Sequence, residues 1–227
     1  MILGLICLLF TLAVYWVCKK VYKSKPRVYF SPLLVTPIIL VGVLLLSKIP
    51  YPTYNQGGKL LTDLLQPATI AFAIPLYKYF HVLKKHAVEI VVSVLSGSIA
   101  AIISSAFLAK WMHLDTSLIN SLVPRSVTTP IAMNVSQVIG GVPNITAVFV
   151  IITGILGTMI GPVIVKLFRI DSEVARGVLL GTSAHGTGTS KAFELSSFTG
   201  TISSISMILS GLITLCIAPI FILLVLH

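Results

Sequence analysis

The chain has 227 residues, 56% of them hydrophobic and only 10% charged, with a mean hydropathy of +1.03. That composition excludes a soluble enzyme, a disordered tail and a nucleic-acid module. The formal charge of +10 comes from 16 Lys and Arg against 6 Asp and Glu, and the basic residues fall between apolar runs instead of on one face, as topology signals do.

A spanning helix needs roughly 20 mostly apolar residues, so the uncharged stretches set the organisation. Met1 to Val17 is the first, followed by Lys19, Lys20, Lys23, Lys25 and Arg27. Its charges follow the apolar run and no small-residue cleavage site appears, so it reads as a retained span and not as a secretory signal peptide. Ser31 to Ser47 is the second stretch, Leu60 to Tyr77 with Pro67 and Pro75 the third, and the uniformly apolar Ile90 to Ala109 the fourth. Ser126 to Val165 and Leu195 to Leu226 are each too long for one span and must hold a further element. The expectation is an all-α polytopic membrane protein, a single integral membrane domain over 1–227 with about six transmembrane helices plus two re-entrant or broken helices. Cys7, Cys18 and Cys216 form no CxxC pattern and no disulfide framework, so they read as packing residues, with no metal site and no cofactor expected.

Basic residues orient the spans, since Lys and Arg collect on the cytoplasmic side. The segment after the first span, Lys78 to Lys85, and Lys166 to Arg176 are rich in them, whereas Lys48, Lys59 and Lys110 lie in the alternate connections. All three rich segments are cytoplasmic only if Ser117 to Gly141 enters and leaves on one side. Its sequence fits, with Pro124, Pro130, the Gly140-Gly141 pair and a run of hydroxyl residues; such backbone is tolerated at membrane depth only where protein or water satisfies it. A second stretch, ARGVLLGTSAHGTGTSKAFELSS, has the same character, with Gly181, Gly186 and Gly188 among Thr182, Ser183, Thr187, Thr189 and Ser190. If it re-enters from the cytoplasmic side, both termini lie outside. Pro67, Pro75, Pro162 and Pro219 are expected to bend spans.

An internal comparison adds a repeat. Ser96-Gly97, Thr153-Gly154 and Ser210-Gly211 follow one another at intervals of 57 positions, and TGILGTMIGP, ending at Pro162, matches SGLITLCIAP, ending at Pro219, in register. The hairpins align as well, with Thr129 on Thr189, Ala132 on Ala192, Asn134 on Glu194 and Ser136 on Ser196. The division expected is 1–87 for N-terminal spans, 88–141 and 142–199 for two units of span plus hairpin, and 200–227 for the last span. One crossing per unit inverts successive units, an arrangement that secondary transporters use to build a midplane site from broken helices.

The strings SVTTPIAM, IGGVPNITAVFVIITGI, MIGPV and ARGVLLGTSAHGTGTSKAFE resemble the CidB/LrgB family of bacterial membrane proteins, and LLQPATIAFAIPLYK extends the resemblance to nearly everything after Ser31. Members are described as antiholin-like or as regulators of murein hydrolase export. Related plant proteins exchange glycolate and glycerate across the plastid envelope, and several bacterial members are linked, with a small partner, to pyruvate uptake. The resemblance therefore implies transport of a small monocarboxylate (pyruvate, or an acid like glycolate or glycerate) across the bacterial cell membrane, with a short LrgA/CidA-type membrane protein as partner. Its alternative is an antiholin-like pore or pore regulator controlling autolysis.

The residues suit a carboxylate site, which needs a cation or N–H cluster for the charge and hydroxyls for the rest. Ser183, His185, Thr187 and Thr189 with the backbone around Gly186 and Gly188 form one side; Ser126, Thr128, Thr129 and Asn134 form the other. Arg125 is either a carboxylate clamp or an interfacial arginine reaching for the headgroups. His185 is either a proton-coupling group or a neutral histidine donating to a carbonyl. Glu194 is read as the ion-pair partner of Lys191 or Arg176, with proton carriage as its alternative, and Asn134 as a helix-joining amide. GTSAHGTGTSK lacks the lysine of a phosphate loop, and with no HExxH, no GxSxG and no paired carboxylates the protein is not expected to be an enzyme. Gly97, Ala100, Ala101, Ser104 and Ser105 suit close helix packing, within one chain or in a homo-oligomer.

Overall fold

The computed structural model describes residues 2–25, 30–64, 67, 70, 71 and 73–225. Among these it is all helical, and the chain forms two compact units, Met1–Ile70 and Ala71–His227. Parts of the expected Leu60–Tyr77 span, together with Met1, Arg27 and Leu226, lie outside the described residues. All three cysteines are free.

The first unit holds α1 (Ile2–Ser24), α2 (Pro32–Ser47) and α3 (Tyr51–Asp63). Proline opens α2, where a missing N–H costs nothing, and Lys48 closes it in the left-handed conformation. Gly4 of α1 faces Gly57 of α3 so closely that a Cβ on Gly57 would strike the Gly4 carbonyl, and Thr11 Oγ1 lies 3.1 Å from the Tyr54 hydroxyl. Two glycines let the backbones touch, which is how helices associate where lipid is as apolar as leucine and only close fit distinguishes a neighbour.

The second unit runs α4 (Ala73–Lys78), α5 (Phe80–Lys85), α6 (Ala87–Trp111), α7 (Thr116–Leu122), α8 (Thr129–Val138), α9 (Pro143–Leu167), α10 (Glu173–Leu195) and α11 (Ser197–Val225). Four helices of the described chain are long and apolar enough to cross a membrane: α1, α6, α9 and α11 over Ser197–Ile222; α2 contributes a shorter apolar stretch, Leu34–Ser47. The protein is thus a multi-pass membrane protein.

Between the long helices the chain doubles back twice. In the first hairpin α7 leads into a turn over residues 123–128, and α8 returns to the start. The Asn120 side-chain amide donates to the Ile139 carbonyl at 2.6 Å and the Val142 N–H donates to Ser121 Oγ at 2.8 Å. Gly140, at φ 81°, makes the corner, and a Cβ on Gly141 would overlap the backbone of Asn120 and Ser121.

The second hairpin is α10 itself, whose two arms meet at His185, at φ 41° and ψ −126°. Gly188 on the returning arm lies against the Leu180 carbonyl and Ala184 of the outgoing arm. At the base, Glu173 accepts from the hydroxyls of Ser196 and Thr199, so the two ends are tied together.

The hairpins enter from opposite ends of α9 and converge along its length. Val127 and Ala132 of the first pack on Val150, while the second runs antiparallel to α9, with Leu180 over Gly161, Ala184 over Gly157 and His185 over Gly154. The three glycines form the seam that seats this arm. The flanking helices divide their lengths likewise. Ile90 and Val94 of α6 pack with Val178, Ile202 and Ile205 near the second hairpin; Ile102, Ala106 and Ala109 pack with Ile119, Val123, Val135 and Ala218 near the first. Gly211 of α11, the counterpart of Gly154, faces Ile131.

Candidate functional site

A cavity of about 450 Å³ opens where the two hairpins approach the middle of α6. Small residues of α6 make the room: Ser93, Gly97 and Ala101. The first hairpin contributes Arg125 and Ser126 from its turn, and the outgoing arm of the second contributes Ala175, Val178, Leu179, Thr182 and Ser183. The volume falls within the about 300–1,000 Å³ of small-molecule sites.

Arg125 dominates the chemistry. It is half-buried, its Nε donates to Ser105 Oγ at 3.0 Å, and among the described residues no carboxylate pairs with it. All six Asp and Glu are among those residues. A guanidinium on a polar cleft presents donors that an anion could accept from. Thr182 and Ser183 donate to the Val178 and Leu179 carbonyls at 2.7 and 2.6 Å, leaving their oxygen lone pairs for a further partner.

Of the residues singled out in the sequence, Arg125, Ser126 and Ser183 therefore share the cleft. The tip of the second hairpin does not line it, because that arm runs past the cavity to α9. His185 is buried with its Nε2 3.0 Å from the Val150 carbonyl. This is the carbonyl-bonded alternative for that histidine. Gly154 lets the ring sit there, since a Cβ at that position would come within 2.9 Å of the His185 Cε1. Thr187 donates to the Ala184 carbonyl at 2.8 Å and Thr189 lies 3.0 Å from Ser203 Oγ, so both serve the turn and its packing. Gly188 is pressed against the opposite arm, whereas Gly186 faces open space.

In the first hairpin Thr128, the residue before α8, is buried with no hydrogen bond to its hydroxyl, and Thr129 is half-buried in the first helical turn. Asn134 is exposed, one position off the buried Ala132–Val135–Ser136 face, and makes no interhelical hydrogen bond. Ser136 bonds across to α9 instead, accepting from Thr146 Oγ1 at 2.7 Å. Glu194 pairs with Lys191 at 2.5 Å; Arg176 bonds the Ile170 carbonyl at 2.7 Å and lies 3.6 Å from Asp171.

Sequence reasoning missed Ser93, Thr182 as a cleft residue and the tie of Ser105 to Arg125. Gly97 carried a signal, its place in the repeat.

The backbone at His185 is a region of φ/ψ space that is essentially reserved for glycine, at a cost of order 1–3 kcal/mol. Its bond to Val150 offsets part of that cost. His185→Ala should lose the bond and keep the strain, lowering the melting temperature in detergent; His185→Gly loses the bond and relieves the strain. The glycine variant should melt above the alanine variant, and equal or reversed midpoints would show that the strain carries no weight.

The profile of the LrgB-like family matches residues 11–224. The chain is 68% identical over 219 residues to YwbG of Bacillus subtilis (strain 168), covering 96% of this chain and 97% of that one. It is 39% identical over 211 residues to YxaC of the same organism, covering 93% and 92%. To the antiholin-like protein LrgB of that organism it is 36% identical over 200 residues, covering 88% and 87%. No solved structure matches.

Proposed function

The chain belongs to the LrgB-like family, and from that premise we propose that it carries a small monocarboxylate across the cell membrane by alternating access. The observation that carries this reading is Arg125, a guanidinium with no carboxylate partner among the described residues, on a cleft between two hairpins that enter from opposite ends of α9. Pyruvate or a glycolate-like acid supplies the missing carboxylate, and its remaining oxygens meet Ser126, Thr182 and Ser183. The hairpins act as inverted re-entrant gates, and withdrawal of one or the other exposes the cleft to one side of the membrane at a time. A short LrgA/CidA-type membrane protein is the partner in this reading. A second reading, regulation of a pore, is favoured by the antiholin-like name of the relative.

Uptake of labelled pyruvate into liposomes, measured alongside leakage of a bulky dye and with or without the small partner, separates the two. Saturable uptake with the dye retained is the expected result; dye loss without saturation would put the pore first.

Orientation follows from charge. Lys84, Lys85, Lys166, Arg169, Arg176 and Lys191 gather at the end of the second unit where the second hairpin opens, and in this reading the positive-inside rule makes that end the cytoplasmic one. In a chain freed of its own cysteines, a Ser172→Cys label site should react with a membrane-impermeant thiol reagent only after cells are permeabilised. Reaction in intact cells would invert the topology.

A further inference from the structure

We propose that Ser105 is the positioning residue for Arg125, aiming the outer edge of its guanidinium into the cleft. The proposal rests on the carboxylate reading above. Ser105 lies on α6, one turn beyond Ala101 of the cleft wall, and is 3% exposed. Its hydroxyl makes two contacts: the Ala101 carbonyl at 2.5 Å and Arg125 Nε at 3.0 Å. The chemistry leaves one assignment of the protons. A carbonyl can only accept and a guanidinium N–H can only donate, so the serine gives its single proton to Ala101 and turns a lone pair to Arg125.

Two consequences follow. Holding Nε leaves the pair of terminal Nη groups as the guanidinium's free edge, and that edge can take both oxygens of one carboxylate in parallel. The partner that holds it is neutral, so the positive charge is oriented without being cancelled; an aspartate in the same place would hold the side chain and compete with the ligand. Arginine carries roughly 2 kcal/mol of rotamer entropy, and a side chain already held at one end loses less of it on binding. Ser105 is itself well anchored, since its neighbours Ile102 and Ala106 sit in the apolar cluster with Val123, two residues before Arg125.

The test is the half-saturation concentration for labelled pyruvate in liposomes, normalised to folded reconstituted protein. Ser105→Ala should raise it about tenfold, the scale of one hydrogen bond to a charged group, with the maximal rate within about twofold. Ser105→Cys, close in size but a weak acceptor, should behave like the alanine variant, and Ser105→Thr, which keeps the hydroxyl, should restore the parent value. In an Arg125→Lys background, where no Nε donor exists, Ser105→Ala should add less than about a twofold change. A purely structural serine would act equally in both backgrounds, and that result overturns the proposal, as does an unchanged value in Ser105→Cys. Failure of the underlying reading looks different: the parent shows no saturation, or Arg125→Ala matches the parent, and the assignment of Ser105 then falls with it.

Discussion

Arg125→Ala should lower the efficiency of carboxylate uptake by on the order of 100-fold while leaving the protein folded. The size follows from two charge-assisted hydrogen bonds between the guanidinium and a carboxylate, each on the order of 1.5–3 kcal/mol, of which ordering and desolvation consume a part. The retained fold follows from how little of the packing depends on the Arg125 side chain. Among the described residues it makes one hydrogen bond, to Ser105, and no ion pair, and Ser105 keeps its bond to Ala101 when the arginine is gone. Arg125→Lys should recover part of the uptake, because it restores the charge without the fork. An arginine that only anchors the hairpin mouth at the interface would give another pattern: Arg125→Ala would reduce the amount of protein in the membrane and leave the uptake per folded molecule unchanged. Measuring both quantities on the same preparation distinguishes the roles.

A large loss of stability is expected from Gly188→Ala. A Cβ at that position meets the Leu180 carbonyl group and comes within 2.7 Å of the Ala184 Cβ. Neither can give way, since Leu180 and Ala184 are fully buried and that arm is seated on Gly161 and Gly157 of α9. The arms of the second hairpin would have to part, opening a tightly packed seam that in lipid depends on close contact alone. Overpacking of this kind costs about 1–3 kcal/mol and sometimes more, and each kcal/mol moves a melting midpoint by about 2–4 °C in a protein of this size. We expect a midpoint lowered by several degrees or failure to fold, read by thermal unfolding in detergent. Gly186→Ala is the control two residues away. Its Cβ would meet nothing within 4 Å, so the midpoint should hold or rise slightly as the unfolded chain loses freedom. Equal midpoints for the two variants would mean that the arms do not pack as described.

Length, hydropathy and the placement of charge determine that this chain is helical and crosses a membrane more than once, because a bilayer admits long apolar helices and punishes charge within them. The two interruptions are legible for a related reason. Pro124, Pro130 and the Gly140-Gly141 pair, and the cluster of glycines and hydroxyl residues around His185, set these stretches apart from a plain apolar span, and the structure turns at both places. Even the spacing of Gly97, Gly154 and Gly211 carries structural meaning, since each stands where a helix is approached by a hairpin residue: Thr182, then His185 with Thr187, then Ile131.

Which polar residues would face a ligand is decided only in three dimensions. In the sequence His185, Thr187 and Thr189 look as available as Ser183, and Ser183 itself donates to a backbone carbonyl, but only Ser183 lines the cleft, while the other three lie beyond it, with His185 and Thr187 against α9 and Thr189 against Ser203 of α11. A residue string carries no signature of which face of a hairpin arm meets a cleft and which is pressed against a neighbouring helix. The same holds for Arg125 and Ser105, 20 positions apart and joined only because the first hairpin folds back along α6. Composition and breaks are local properties, written residue by residue. The cleft is a property of the close approach of three elements, and that approach depends on glycine seams whose partners lie far away along the chain.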